Sequence, residues 1–67
     1  MKYITIMNDK VKTLIGKNTK EASEILKNCR WRIVSEDNTD YIITSDLDFN
    51  RYNLYLEKGI IVDVKFF

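Results

Sequence analysis

The residues best suited to chemistry are gathered in residues 44–51, which read Thr-Ser-Asp-Leu-Asp-Phe-Asn-Arg. Four oxygen-bearing residues stand at positions one, three, five and twelve of a calcium-loop template: Asp46, Asp48, Asn50 and Glu57. Arg51, however, occupies the position where that template needs glycine for its turn, and its charge would oppose a bound cation. The flanking residues also alternate as strands do. We therefore expect neither a metal nor another cofactor here.

Residue types that most enzymes need are missing from the sequence. It contains no histidine, which is the commonest general base and the commonest neutral metal ligand. Its one cysteine, Cys29, has no second thiol for a disulfide or a zinc site. No nucleophile with an acid–base pair can be assembled, so we expect a protein that binds and does not catalyse.

Composition and charge favour one small intracellular domain. The 67 residues leave room for a single domain, residues 1–67, with one hydrophobic core. Eleven basic residues balance ten acidic ones, and the net charge of +1 gives little attraction to nucleic acid or to an anionic membrane. No stretch resembles a secretory signal or a membrane span, so we expect a cytoplasmic protein. We take it to be a monomer, although the sequence does not determine the oligomeric state. Frequent Lys, Asn, Ile and Tyr are typical of an AT-rich genome, such as that of a phage or a low-GC bacterium.

One helix is predicted in the first half of the chain. Asn18 is a favourable N-cap, and Glu21, three residues later, completes a capping box. An apolar stripe at helical spacing follows and predicts a helix over residues 19–28; its members are Ala22, Ile25, Leu26 and Cys29. Upstream, residues 2–6 predict a short strand and residues 8–10 a turn.

The other predicted elements are strands. Residues 31–34 and residues 52–57 predict two strands, the second with Tyr52, Leu54 and Leu56 on one face. Lys58-Gly59 is a two-residue turn, and residues 60–66 alternate as the returning strand of a hairpin. This order predicts an α+β fold, with one helix packed on a small mixed sheet. We expect the strands at residues 31 and 52 to be adjacent and parallel.

Three further features are assigned by pattern. Cys29 is expected to be a buried, inert thiol, and Trp31 is expected in the core. Phe66 and Phe67 fit either an apolar terminus packed under the sheet or an exposed patch for self-association.

A long connection separates the strands at residues 31 and 52. About fifteen residues without regular periodicity are too many for a routine connection in so small a domain, and such loops are usually functional or disordered. This one is too apolar for a disordered linker, since it contains Ile42, Ile43, Leu47 and Phe49. We interpret residues 42–50, which we call the candidate loop, as an exposed recognition element.

Several stretches resemble one family of inhibitors. Residues 44–56 resemble the reactive loop and following strand of the potato inhibitor I proteins, such as eglin and the barley chymotrypsin inhibitor. Leu-Ile-Gly-Lys at residues 14–17 and Glu-Ala at residues 21–22 resemble the segment before that family's helix and the helix itself. Trp-Arg-Ile-Val at residues 31–34 and the Asn50-Arg51 pair resemble the bacterial I78 peptidase inhibitors. The similarity covers residues 11–64.

The resemblance implies inhibition of a serine protease by a substrate-like loop. The partner-binding residues it implies are Ile43, Thr44, Ser45, Asp46, Leu47 and Asp48. Ser45 takes the primary-specificity position. Arg51 matches a basic residue that supports the loop from the following strand, while Asn53 stands where a second arginine is usual. Pairs between Arg51 and the two aspartates are expected to replace part of that support.

Two departures from the family leave a second interpretation open. Ser45 is small and polar, whereas strong inhibitors carry a large apolar anchor at this position. The family is also largely secreted, whereas this sequence shows no secretory signal. The alternative is an intracellular, phage-encoded antagonist or adaptor that uses the same fold to bind a non-protease host protein.

Overall fold

The computed structural model describes residues 9–41 and 48–67. The strand predicted at residues 2–6 and most of the candidate loop lie outside the described residues. Within them the fold is α+β, as predicted, but with two helices and a four-stranded mixed sheet. The elements are α1 (Asp9–Leu14), α2 (Thr19–Ile25), β1 (Trp31–Glu36), β2 (Thr39–Asp40), β3 (Tyr52–Glu57) and β4 (Ile60–Phe66).

Helix α1 was not predicted, and the turn predicted across Asp9 and Lys10 was wrong. Val11 and Leu14 are three residues apart, share one face of the helix, and are buried in the core. Burial of these two side chains outweighs the turn preference of the residues before them. Gly16 follows with a φ of 90°, a left-handed conformation that favours glycine, and lets the chain turn towards α2.

Helix α2 begins where the sequence predicts. The Asn18 side chain accepts a hydrogen bond from the Glu21 N–H at 2.8 Å, and Glu21 Oε1 accepts one from the Asn18 N–H at 3.2 Å. The helix ends at Ile25, three residues earlier than predicted, and residues 26–28 form a turn. Cys29 therefore lies beyond the helix and is only half-buried against the core, with Lys10 Nζ 3.4 Å from its Sγ.

The sheet has the strand order β2-β1-β3-β4. As predicted, β1 and β3 are parallel, and β3 and β4 are antiparallel. Strand β2 was not predicted; it pairs antiparallel with the end of β1. Asp37 and Asn38, both with positive φ, form its turn, as Lys58 and Gly59 do in the β3–β4 hairpin. Asp37 Oδ1 accepts the Lys58 N–H at 2.7 Å, so the two turns are tied together.

The core lies between the helices and one face of the sheet. Its buried members are Val11, Leu14, Ala22, Leu26, Tyr52, Leu54, Leu56 and Ile61. Trp31 packs against them and is half-buried. Phe66 also packs there, with its ring edge-on to Tyr52 at 4.7 Å between centroids. Phe67 lies elsewhere, with its ring centroid 5.7 Å from the Arg32 guanidinium carbon.

A β-bulge in β4 changes which of its residues face the core. The register pairs Tyr55 with Asp63 but Leu56 with Ile61, so Val62 is the extra residue. Ile61 is completely buried, whereas Ile60 is 39% exposed and Val62 45% exposed. The alternation read from residues 60–66 therefore reverses at the bulge.

The bulge makes a testable distinction between two neighbouring isoleucines. Ile61→Val should lower the free energy of unfolding by about 0.5–1.5 kcal/mol, because it removes a buried methylene. Ile60→Val should change it by less than about 0.5 kcal/mol. Urea unfolding followed by circular dichroism measures both. A larger loss for Ile60→Val than for Ile61→Val would contradict the bulged register.

Candidate functional site

The N-terminal end of the candidate loop is fixed to β1 through Tyr41. The Tyr41 N–H donates to the Val34 carbonyl at 3.0 Å, continuing the antiparallel contact of β2 with β1. Its phenol donates to Glu36 Oε1 at 2.6 Å. Backbone and side chain of Tyr41 thus both bind β1 immediately before the loop.

The phenol contact of Tyr41 depends on the protonation of that side chain. The hydrogen bond to Glu36 raises the pKa of Tyr41 above the ordinary tyrosine value, and desolvation and the charges of Glu36 and Asp37 act in the same direction. The raised pKa means that the neutral phenol is favoured in the folded protein. The contact is therefore fully formed at neutral pH and is lost as the pH rises through that raised pKa.

The C-terminal end of the candidate loop is fixed to the residue that precedes β1. Asp48 Oδ2 lies 2.9 Å from the Arg30 guanidinium, and the Asp48 side chain is only 14% exposed. Asp48 Oδ1 accepts the Asn50 N–H at 3.0 Å, and the Asp48 carbonyl accepts the Arg51 N–H at 3.0 Å. The Arg30 carbonyl in turn accepts the Tyr52 N–H at 2.9 Å, where β3 begins. Arg30 and Asp48 together close the loop.

The two residues expected to support the loop take different positions. Arg51 is half-buried immediately before β3, and its backbone N–H donates to the Asp48 carbonyl. Asn53 is completely buried within the sheet, where its Oδ1 accepts a hydrogen bond from Arg32 Nε at 2.7 Å. Its amide nitrogen donates to the carbonyls of Arg51 and Lys65, at 3.3 Å and 2.9 Å. Asn53 therefore links β1, β3 and β4, and it also binds the carbonyl of Arg51, the residue that follows the loop.

The central residues of the candidate loop, Ile43 to Leu47, lie outside the described residues. Of the loop's described residues, Phe49 is the most exposed apolar one, with 68% of its surface accessible. Tyr41, just before the loop, is 44% exposed. These two aromatic side chains flank the segment 42–47. Neither was predicted as a contact residue, although aromatic residues are common anchors at protein interfaces.

The calcium template is incompatible with the arrangement of its described members. Asn50 precedes β3 and Glu57 ends it, so the length of the strand, about 16 Å at 3.3 Å per residue, separates them. Asp48 is already paired with Arg30. Calcium ligands must all lie about 2.3–2.6 Å from one ion, which these residues cannot satisfy together.

Comparison of the chain with protein-family models, with curated proteins and with solved structures found no match. Over residues 9–41 and 48–67, neither helix has the length and apolar character needed to cross a membrane. The site is therefore interpreted from its own geometry.

The anchoring role of Asp48 can be measured at the amide it binds. Asp48→Ala should accelerate hydrogen exchange of the Asn50 amide by about tenfold, because a charge-assisted hydrogen bond is lost. Asp48→Asn keeps an acceptor oxygen but loses the charge opposite Arg30, and should give an intermediate rate. NMR-detected exchange measures all three proteins.

Asp40→Ala is a matched control, since Asp40 is an exposed aspartate on β2. It should leave Asn50 exchange unchanged. Equal rates in Asp48→Ala and Asp40→Ala would show that Asp48 does not anchor the loop.

Proposed function

We propose that this protein binds another protein through the candidate loop and that its target is a serine protease, which it inhibits. The observation that carries the proposal is that one end of segment 42–47 is fixed to β1 and the other to the residue immediately before β1. Tyr41 is held at Val34 on β1, and Asp48 is held at Arg30 immediately before β1. A segment held at both ends loses less conformational entropy on binding than a free one.

Chain length supports presentation of the segment away from the sheet. Val34 and Arg30 are four residues apart, which corresponds to about 13 Å along a strand. The chain from Tyr41 to Asp48 is seven steps long and can span about 23 Å when extended. The surplus of about 10 Å allows the segment to bow outwards while its ends stay anchored. A substrate-like loop needs this combination of fixed ends and spare chain length.

The parallel pairing of β1 with β3 supports the proposal of an inhibitor of the potato inhibitor I type. Such a protein presents its loop between two parallel strands, below which polar side chains support it. Here β1 and β3 are parallel neighbours, and Asn53 and Arg32 form a partly buried hydrogen bond between them. In this proposal Ser45 fills the primary-specificity pocket of the protease, with Thr44 and Asp46 on either side. A small side chain fits a protease with a small pocket.

The exposed aromatic side chains favour a second candidate function. Phe49 and Tyr41 offer larger apolar contacts than Ser45 does, and aromatic anchors contribute most of the energy at many interfaces. An antagonist or adaptor that binds a non-protease host protein would use these residues as its anchors. In that case substitution of Phe49 weakens binding more than substitution of Ser45.

The protease proposal predicts a gain of inhibition from one substitution. Ser45→Leu should strengthen inhibition of subtilisin-like or chymotrypsin-like enzymes, because burying a leucine side chain contributes roughly 1.5–3 kcal/mol. The inhibition constant should therefore fall by about one to two orders of magnitude. Titration of each enzyme with parent and variant measures the change.

Arg51→Ala provides the contrast within the same assay. It leaves Ser45 in place but removes the proposed supporting side chain just before β3, so this variant should be cut after residue 45 and released. Mass spectrometry of the products detects the cleavage. If neither the parent nor Ser45→Leu slows any serine protease at micromolar concentration, the inhibitor proposal fails and the antagonist or adaptor replaces it.

A further inference from the structure

Strand β4 forms one edge of the described sheet, and only its beginning is covered. The Gly16 N–H donates to the Ile61 carbonyl at 2.9 Å, and the Ile61 N–H donates to the Lys17 carbonyl at 2.8 Å. Asn18 forms a β-bridge with Ile60. From residue 62 to residue 66, no strand among the described residues pairs with this edge. An uncovered strand edge is a template for pairing with another strand.

The backbone groups on this edge follow from the register. The backbone groups of Ile61 point away from β3 and bond to Gly16 and Lys17. In a regular strand every second residue would do the same, but the bulge at Val62 shifts this alternation by one residue. The N–H and carbonyl groups of Val64 and Phe66 therefore point outwards. Asp63 Oδ1 accepts the Val64 N–H at 2.9 Å. The Asp63 carboxylate thus already binds the Val64 N–H, which could otherwise donate to another strand.

The charges along this edge are complementary to those of a second copy of the same edge. When two copies of residues 62–66 are aligned antiparallel about Val64, Asp63 of each copy lies opposite Lys65 of the partner subunit. The same alignment places Val64 opposite Val64 of the partner subunit, so the central pair is apolar in both copies. Cross-strand pairs of opposite charge and of apolar side chains both stabilise antiparallel pairing.

We propose that β4 is a homodimer interface, at which two copies of the chain pair antiparallel about Val64 and join their sheets into one. The occupant of the edge is thus a second copy of this chain. On pairing, the Val64 N–H passes from Asp63 to the Val64 carbonyl of the partner subunit, and the freed carboxylate pairs with Lys65 of the partner subunit. The backbone of Ile61 is already bonded to Gly16 and Lys17, so pairing with a second copy is limited to residues 62–66. This limit sets the register of the pairing. This interface is independent of the candidate loop.

A charge exchange tests the pairing directly. Asp63→Lys or Lys65→Asp alone places like charges opposite each other twice per dimer, and each should weaken dimerisation by about tenfold. The double variant Asp63→Lys/Lys65→Asp restores opposite charges and keeps the net charge of +1, so it should dimerise as the parent does. Sedimentation equilibrium measures the dissociation constants, and circular dichroism confirms that each variant is folded.

Two controls separate this interface from other modes of association. Lys27→Asp changes an exposed charge beyond α2 and should leave the dissociation constant unchanged. In the parent, raising the protein concentration should slow amide exchange of Val64 and Phe66 more than that of other strand residues. A parent that stays monomeric to millimolar concentration, as expected if another segment of its own chain covers the edge, overturns the proposal. So does a double variant that dimerises no better than the two single ones.

Discussion

The parallel pairing of β1 with β3 is the constraint on which the rest of the structure depends. Two parallel strands cannot be joined by a tight turn, so the chain has to return along the whole length of β1 before β3 can start. The β2 hairpin makes the first part of that return and ends at Tyr41. The candidate loop makes the remainder and reaches Asp48 beside Arg30. The loop is therefore a topological requirement, and the fold supplies fixed points for both of its ends.

The contacts at those fixed points differ in kind. Tyr41 is attached mainly by backbone pairing with Val34, whereas Asp48 is attached by an ion pair and two turn hydrogen bonds. Arg30 is 69% exposed, and an ion pair to such a residue contributes little to global stability. The effect of the Arg30–Asp48 ion pair is local, because the pair sets where the loop closes beside β1. Asn53 is fully buried and hydrogen-bonds to Arg32 on β1 and to Lys65 on β4, so it holds the three strands together.

Local sequence signals predicted the elements that are determined locally. The Asn18–Glu21 capping box and the Lys58-Gly59 turn each depend on residues within three positions, and both occur as predicted. The bulge in β4 could not be predicted in this way, because Ile60 and Ile61 are chemically identical and only their packing distinguishes them. The Arg30–Asp48 pair joins residues 18 positions apart in the sequence, and no local pattern marks it. Helix α1 and strand β2 were missed because both are too short for periodicity to outweigh turn-forming residues.

The central claim is that the anchored segment carries the binding activity. The most direct measurement is affinity capture from a lysate of the source cells, using the parent and a variant in which residues 42–47 are replaced by glycine and serine. Tyr41 and Asp48 remain in that variant, so the protein should keep its melting temperature while binding is lost. We expect a protein retained by the parent and absent with the variant, and identification of that protein distinguishes a protease from another target. Equal retention by both proteins would contradict the account.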